Sequence, residues 1–400
     1  MMLLLAAAIT FVDVQPILER RCVACHRKGE VGPMPLTSYK EARPWAKAIR
    51  EAVTAHTMPP WFADDRFGKF KNDPRLTPAE IAAIRGWVEA GAVEGPAVKP
   101  ILTLPEGWGI PAPDKILAMK SPFSIPAKGS VAYQHILLDS PCPEDCWVSA
   151  AEARPSVRGV VHHAVVYIRE ADSDWLKEAK PGVPLSAKSQ TTSDILLVYT
   201  PGQPPFIAPE GMAKKIPAGA HLVLQIHYTP NGKASADKMK IGLVFAKNPP
   251  KQRILTLQMN NGSIRLPPED ASYHASISGT FPNDALLLNF FPHMHLRGTS
   301  FEYVIAEKPG QWETLLRVKP YRFNWQLRYE LDKPRRIPKG TQILMTATYD
   351  NSKNNPYNPD PEAEVEWGEQ SWEEMMVGFF EVAVPADMDK KSFFIRTQSR

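Results

Sequence analysis

The sequence predicts a multidomain protein, a small all-α domain followed by two all-β sandwich domains, and three observations lead there. The chain's 400 residues exceed what one hydrophobic core usually covers. Its 40 prolines are about twice the usual share, which disfavours long helices and favours short strands joined by turns. Apolar spacing is helical before residue 94 and strand-like beyond residue 120. Lys and Arg total 47 against 43 Asp and Glu, with no long run of either sign, so neither nucleic acid nor a charged membrane surface is an expected partner.

Residues 1–12 read MMLLLAAAITFV, an apolar run with small residues at Ala6, Ala7 and Ala8. Residues 1–8 are expected to be a shortened signal peptide whose positive n-region is missing, and the mature protein to be periplasmic or secreted. No later stretch approaches the roughly 18 apolar residues of a membrane span.

Residues 9–93 carry the helical pattern. Val14, Ile17 and Leu18 form an apolar face leading into Cys22. Ser38 and Glu41 have capping-box spacing ahead of Trp45, Ile49 and Val53, with Pro44 placed to delay or kink that helix. The clearest helix has Thr77 as N-cap, Pro78 first, Glu80 completing the box, then Ile81, Ile84, Trp87 and Val88, and a stop near Gly91. Residues 94–119 are Pro- and Gly-rich and read as a linker.

Beyond it, residues 159–168, 221–229, 241–246, 285–296, 301–306, 341–349 and 376–384 are strand-like runs bounded by turn residues. A Pro/Lys-rich break at 247–253 divides this region into domains of 120–250 and 251–386, leaving 387–400 as a tail.

Cys22-Val23-Ala24-Cys25-His26 is C-x-x-C-H, the attachment signature of c-type haem. The two thiols bond to the porphyrin and His26 presents its imidazole to the iron. A thioredoxin-like redox pair would need a βαβ context that is absent. A sixth ligand is expected from Ala55-His56-Thr57-Met58-Pro59-Pro60-Trp61. A thioether raises the potential and suits electron transfer, and the segment resembles the methionine loop of class I cytochromes c. Met58 is the first candidate, His56 the second.

Histidines cluster on three later strands. His162 and His163 are adjacent on an apolar run, where alternate side chains point to opposite faces, so both reach one ion only through a local bulge or different ring nitrogens. His227 stands alone in Gln-Ile-His-Tyr, where a hydrogen-bonded core role is the ordinary reading. His293 and His295, two apart on one strand face, can chelate one ion. Imidazoles without a nearby carboxylate, plus a thioether candidate in Glu373-Glu374-Met375-Met376, suit copper better than zinc or calcium.

The order His-His, Leu-Gln-x-His-Tyr, His-x-His-Leu-x-Gly and acidic-Glu-Met resembles the copper type II ascorbate-dependent monooxygenases, the family of peptidylglycine α-hydroxylating and dopamine β-monooxygenases. The resemblance covers roughly residues 120–386. It implies two jelly-roll-like β domains with one copper each: His162, His163 and His227 at an electron-donating copper, and His293, His295 and Met375 at a catalytic copper that activates O2. Animal members carry several disulfides, whereas only Cys142 and Cys146 remain here, placed for a local disulfide in an oxidising compartment. Met294 and Met376 are expected in the core. His221 is too distant along its strand to share a copper with His227, and His135 and His274 have no assigned partner.

The expected function is therefore hydroxylation of a C–H bond in a small organic, apolar or aromatic substrate. Electrons would come from an external reductant such as ascorbate, or from a reduced periplasmic donor, through the haem domain. The alternative is a non-catalytic haem and copper protein that carries electrons or binds copper.

Overall fold

The computed structural model describes residues 9–96, 107–187, 194–393 and 396–399. The expected signal peptide lies outside the described residues, as does part of the expected linker. The chain divides into two compact units, one formed by Met1–Trp61 and Asp73–Gly107, the other by Phe62–Asn72 and Trp108–Arg400.

The first unit is built on helices Phe11–Arg21, Tyr39–Ala42, Ala46–Thr54 and Pro78–Glu89. Thr77 and Glu80 form the reciprocal capping box their spacing requires, each side chain bonding the other's backbone N–H. Ser38 accepts from the Glu41 N–H, but the Glu41 carboxylate turns to the Thr37 backbone and hydroxyl instead of closing a box. Pro44 falls in a one-turn 3-10 segment, Arg43–Trp45, that separates two helices, because a proline lacks the N–H that an α-helical turn would use there. Phe11, Val14 and Leu18 pack with Ile49, Val53, Ile84 and Trp87 in one core.

The second unit is built mainly of strands. A four-stranded sheet ordered Gln134–Leu138, His221–Tyr228, Val161–Arg169, Asp194–Tyr199 covers one part of a nine-stranded sheet, and a five-stranded sheet belongs to the later half. Ile136, Val166 and Leu224 of the four-stranded sheet share a core with Val148, Ile241 and Leu243 of the long one. In the later half Phe290 lies 4.7 Å from Tyr303, ring to ring, across the facing sheets. Strand Gln342–Tyr349 alternates buried and less buried residues, as a half-exposed sandwich strand does, whereas the histidine strands Val161–Arg169 and His221–Tyr228 are buried almost throughout.

Two expected boundaries differ. Residues 62–72 cluster with the β unit, not the helical one, because Ala63 and Phe70 bridge to Val318 and Leu331. The sequence halves on either side of residue 250 are also not separate compact bodies. The break at 247–253 is short and leads directly into strand Gln252–Asn260, which pairs in parallel with Met212–Ile216 (Gln252 with Met212, Arg253 with Ala213). The long sheet therefore runs through both halves.

Beside that seam lies a buried ion pair, Lys214 with Glu381. Lys214 Nζ also donates to the Leu196 carbonyl and to Thr256 Oγ1, each at 2.8 Å. Burial alone would push Glu381 up, but Lys214 and Arg328 outweigh it and hold the carboxyl down at about 2. A buried pair is costly to break because either partner alone is an uncompensated charge, by roughly 3–5 kcal/mol.

Candidate metal centre

Strand Val161–Arg169 pairs with His221–Tyr228 so that Val161 faces Tyr228 and His163 faces His227, with the register slipping between them. His162 is thus the extra residue of a β-bulge. A bulge cancels the strict alternation of side chains, and both neighbouring imidazoles reach the same place. Ring centroids are 5.3 Å apart for His162 and His163, 5.1 Å for His162 and His227, and 5.2 Å for His163 and His227. One nitrogen from each ring lies within 4.8 Å of the others. Tyr133 closes the group edge-on, 4.7 Å from His227.

His293 ends strand Ala285–His293, and His295 stands just beyond it in irregular chain, whereas the sequence predicts strand through residue 296. Their rings are nonetheless 5.2 Å apart at 88°. His293 Nδ1 donates to Gln326 Oε1 at 2.8 Å, and His295 Nδ1 to the Glu373 carbonyl at 3.1 Å. Such bonds fix the tautomer and leave each Nε2 as the lone-pair atom. The glycine of the His-x-His-Leu-x-Gly motif has a steric reason: a Cβ on Gly298 would come within 2.8 Å of the Met294 side chain. Met294 and Met376 are fully buried.

Glu374, noticed in the sequence only as part of a motif, is a buried brace. Its carboxylate accepts the backbone N–H groups of His295 at 2.9 Å, Arg297 at 2.6 Å and Met375 at 3.3 Å, tying the histidine turn to the methionine. Burial pushes it up to about 7, with those donors pulling the other way. Phe323 and Gln326 lie in irregular chain whose sequence carries no periodic signal, and neither was legible beforehand. Phe323 stacks on His162 at 4.5 Å and 23°.

The two histidine sets adjoin, His163 and His293 being 5.9 Å apart ring to ring. His163, His293 and Met375 line one cavity of about 690 Å³, including its open mouth, with Tyr133, Val165, Gln225, Phe291, Glu369, Val377 and Phe379. His162 Nε2, His227 Nδ1 and His295 Nε2 are buried with no hydrogen-bond partner. Buried polar atoms are normally satisfied, so convergent, unsatisfied imidazole nitrogens beside a thioether fit a soft or borderline transition metal such as copper. Burial pushes His162 down to about 4 and His227 to about 3, and His163 and His295 well below the ordinary histidine range.

The remaining histidines are elsewhere. His221 Nδ1 donates to the Leu138 carbonyl at 3.0 Å. His274 contacts Ser272 and Thr348. Buried His135 receives a bond from the amide of cavity-lining Gln225 at 3.1 Å. Cys142 and Cys146 form a disulfide.

In the helical unit, Cys22 ends the first helix and its carbonyl accepts the N–H of His26 at 2.8 Å. Neither Cys22 nor Cys25 is in a disulfide, and both are partly exposed, with burial and the neighbouring Cys25 pushing Cys22 up to about 12. His26 Nδ1 donates to the Met34 carbonyl at 3.1 Å, which leaves Nε2 for a ligand. Gly32 closes over this turn, where a Cβ would meet His26 Nδ1 at 2.7 Å. His56 and Met58 line a small cavity with Val53, Pro59, Leu76 and Ile81, which Cys22, Cys25 and His26 do not line.

Comparison with known proteins bears on the later half of the β unit. Residues 253–380 match the family model described as copper type II ascorbate-dependent monooxygenase, C-terminal domain. This segment is similar to the C-terminal domain of copper type II monooxygenases. It contains His293, His295 and Met375, while His162, His163 and His227 fall before it. No curated protein matches the sequence. Among solved structures, an allantoicase is similar at 8% identity over 57% of this chain and 81% of its own, with a TM-score of 0.20. The infectious bursal disease virus VP2 subviral particle is similar at 8% identity, covering 73% and 78%, with a TM-score of 0.18. Among the described residues, no helix is long and apolar enough to cross a membrane.

The depressed histidines imply a pH dependence. A base held below its unfolded value of roughly 6.5 contributes stability that is fully present above that pH and is lost as pH falls through the folded values. Metal-free protein should therefore show a urea midpoint that declines steadily from pH 7 towards pH 4, and His162→Leu should flatten the decline. Equal slopes for the two proteins would show that these rings do not carry it.

Proposed function

We propose that this chain is an exported copper-dependent monooxygenase that hydroxylates a C–H bond of a small organic substrate. The observation that carries this reading is the meeting of two buried histidine sets, with His162 Nε2, His227 Nδ1 and His295 Nε2 lacking partners and His163 and His293 lining one cavity, the second set lying in a segment similar to copper monooxygenases. His162, His163 and His227 would hold one copper, and His293, His295 and Met375 another. Copper bound there would supply one-electron redox chemistry and activation of O2. Overall, one oxygen atom enters the substrate and the other leaves as water, with two electrons and two protons from an external reductant such as ascorbate or a reduced protein donor.

The chain's own groups prepare that reaction. Gln326 and the Glu373 carbonyl hold His293 and His295 in the tautomer with Nε2 free. Glu374 holds the histidine turn against Met375. Tyr133 and the apolar cavity wall limit water near the rings. Metal analysis should find two coppers and one iron per chain. Met375→Ala should abolish oxygen-dependent hydroxylation while the copper held by the first set remains, and Met376→Ala should be mild. No oxygen uptake with reductant and a range of apolar substrates, despite full copper loading, would favour a non-catalytic electron carrier.

The cavity also bears on substrate class. Its ionisable lining, apart from histidine and tyrosine, is the single carboxylate Glu369, with no lysine or arginine among the lining residues. In the peptide-hydroxylating relatives the resemblance points to an arginine, an asparagine and a tyrosine that anchor a terminal carboxylate, where this chain has Phe291, Val377 and Phe379. A carboxylate entering here would lose its water without a charged partner. Glycine-extended peptides should thus be poor substrates compared with neutral aromatic compounds, and Glu369→Gln should narrow the gap. Efficient turnover of such a peptide by the unaltered protein would contradict this.

Covalent c-type haem on Cys22 and Cys25, with His26 and Met58 as axial ligands, completes the reading, and supports delivery of electrons towards copper. A donor tethered by a short linker acts at millimolar effective concentration. The ferrous protein should give a low-spin c-type spectrum. Met58→Ala should make it high-spin or open to external ligands, and an unchanged spectrum would shift the assignment to His56.

A further inference from the structure

We propose that residues 321–326 form a clamp that holds the two histidine sets at contact distance, with Phe323 and Gln326 as its positioning residues. The proposal rests on the copper reading above for its consequence, but its structural basis is independent of any metal.

The segment touches both sets through different atoms. On one side the Phe323 ring stacks on His162 at 4.5 Å and lies 6.5 Å from His227. The same ring stands edge-on to His295 at 6.1 Å and 89°, so it occupies the space between the two sets. Three residues later, Gln326 Oε1 accepts from His293 Nδ1 at 2.8 Å.

It is also fastened to both halves of the chain. Thr200 Oγ1 and Gln203 Nε2, from the earlier half, donate to the Gln326 carbonyl at 3.0 and 3.1 Å. At the other end, the Tyr321 hydroxyl donates to the Met294 carbonyl at 2.8 Å and accepts the Met294 N–H at 3.0 Å, and the Tyr321 N–H donates to the Thr299 carbonyl at 2.7 Å. Thr200, Gln326 and Tyr321 are all buried. Bonds of this kind, shielded from water, are costly to leave unmade. A short irregular segment with no strand of its own would otherwise be among the first parts to open. Its burial between the two sets is explained if its work is to set their spacing.

Phe323→Ala removes the ring, Thr200→Val removes a bond to the earlier half, and Phe323→Tyr keeps the stacking as the conservative control. Hydrogen exchange of the metal-free proteins is followed by mass spectrometry. In both disruptive variants, peptides carrying His162–His163 and His293–His295 should exchange about tenfold faster, while Phe323→Tyr behaves as the unaltered protein. Proteins loaded with Cu(II) are then compared by electron paramagnetic resonance. The unaltered protein and Phe323→Tyr should show dipolar broadening and a half-field transition from neighbouring coppers, and Phe323→Ala should lose the half-field transition at the same copper content. Faster exchange confined to residues 321–326 overturns the clamp. So does a half-field transition in Phe323→Ala equal to that of the unaltered protein. A chain that takes up no copper yet shows coupled exchange of both histidine peptides would keep the clamp and overturn the copper reading instead.

Discussion

The centre depends on one irregularity, the bulge at His162. Without it, His162 and His163 would point to opposite faces of their sheet, and only one of them could meet His227. With it, a pair of adjacent residues and a cross-strand neighbour become a three-imidazole set. A bulge costs ladder hydrogen bonds, and the surrounding strand compensates with fully apolar packing from Ala164 to Ile168 on both faces of the sheet. The local misfit is thus carried by a closely packed neighbourhood that fixes where the three imidazoles meet.

The second set is organised by a different device. His293 still belongs to a strand, but His295 is held by turn chemistry: a buried carboxylate from Glu374, a carbonyl from Glu373 and a glycine that lets the turn close over Met294. One set is therefore positioned by sheet register and the other by a polar network. The two respond differently to substitution, since a register shift moves a whole strand whereas loss of a single acceptor releases one ring.

Much of this was legible in the residues themselves. Apolar and β-branched runs bounded by turn residues marked the histidine strands, and the adjacency of His162 and His163 called for either a bulge or different ring nitrogens if they were to cooperate. The capping box at Thr77 and Glu80 was legible because its partners are only three residues apart. What could not be read is non-local or aperiodic. The parallel pairing at Gln252 and Met212 joins strands whose sequences say nothing of partner or direction, so the continuity of the sheet past the proline-rich break could not be read. Phe323 and Gln326 sit in irregular chain, where a residue's role comes from what folds against it. Glu374 was visible as a motif letter, but its three backbone partners lie up to 79 residues away.

The continuous sheet has a mechanical consequence. Swinging the two halves apart would break the pairing of Gln252 and Arg253 with Met212 and Ala213 and separate Lys214 from Glu381, stranding opposite charges in a medium that solvates neither. Wholesale opening is thereby expensive at the sheet seam. Any widening at the histidines must therefore come from local movement that leaves this seam paired and its charges together.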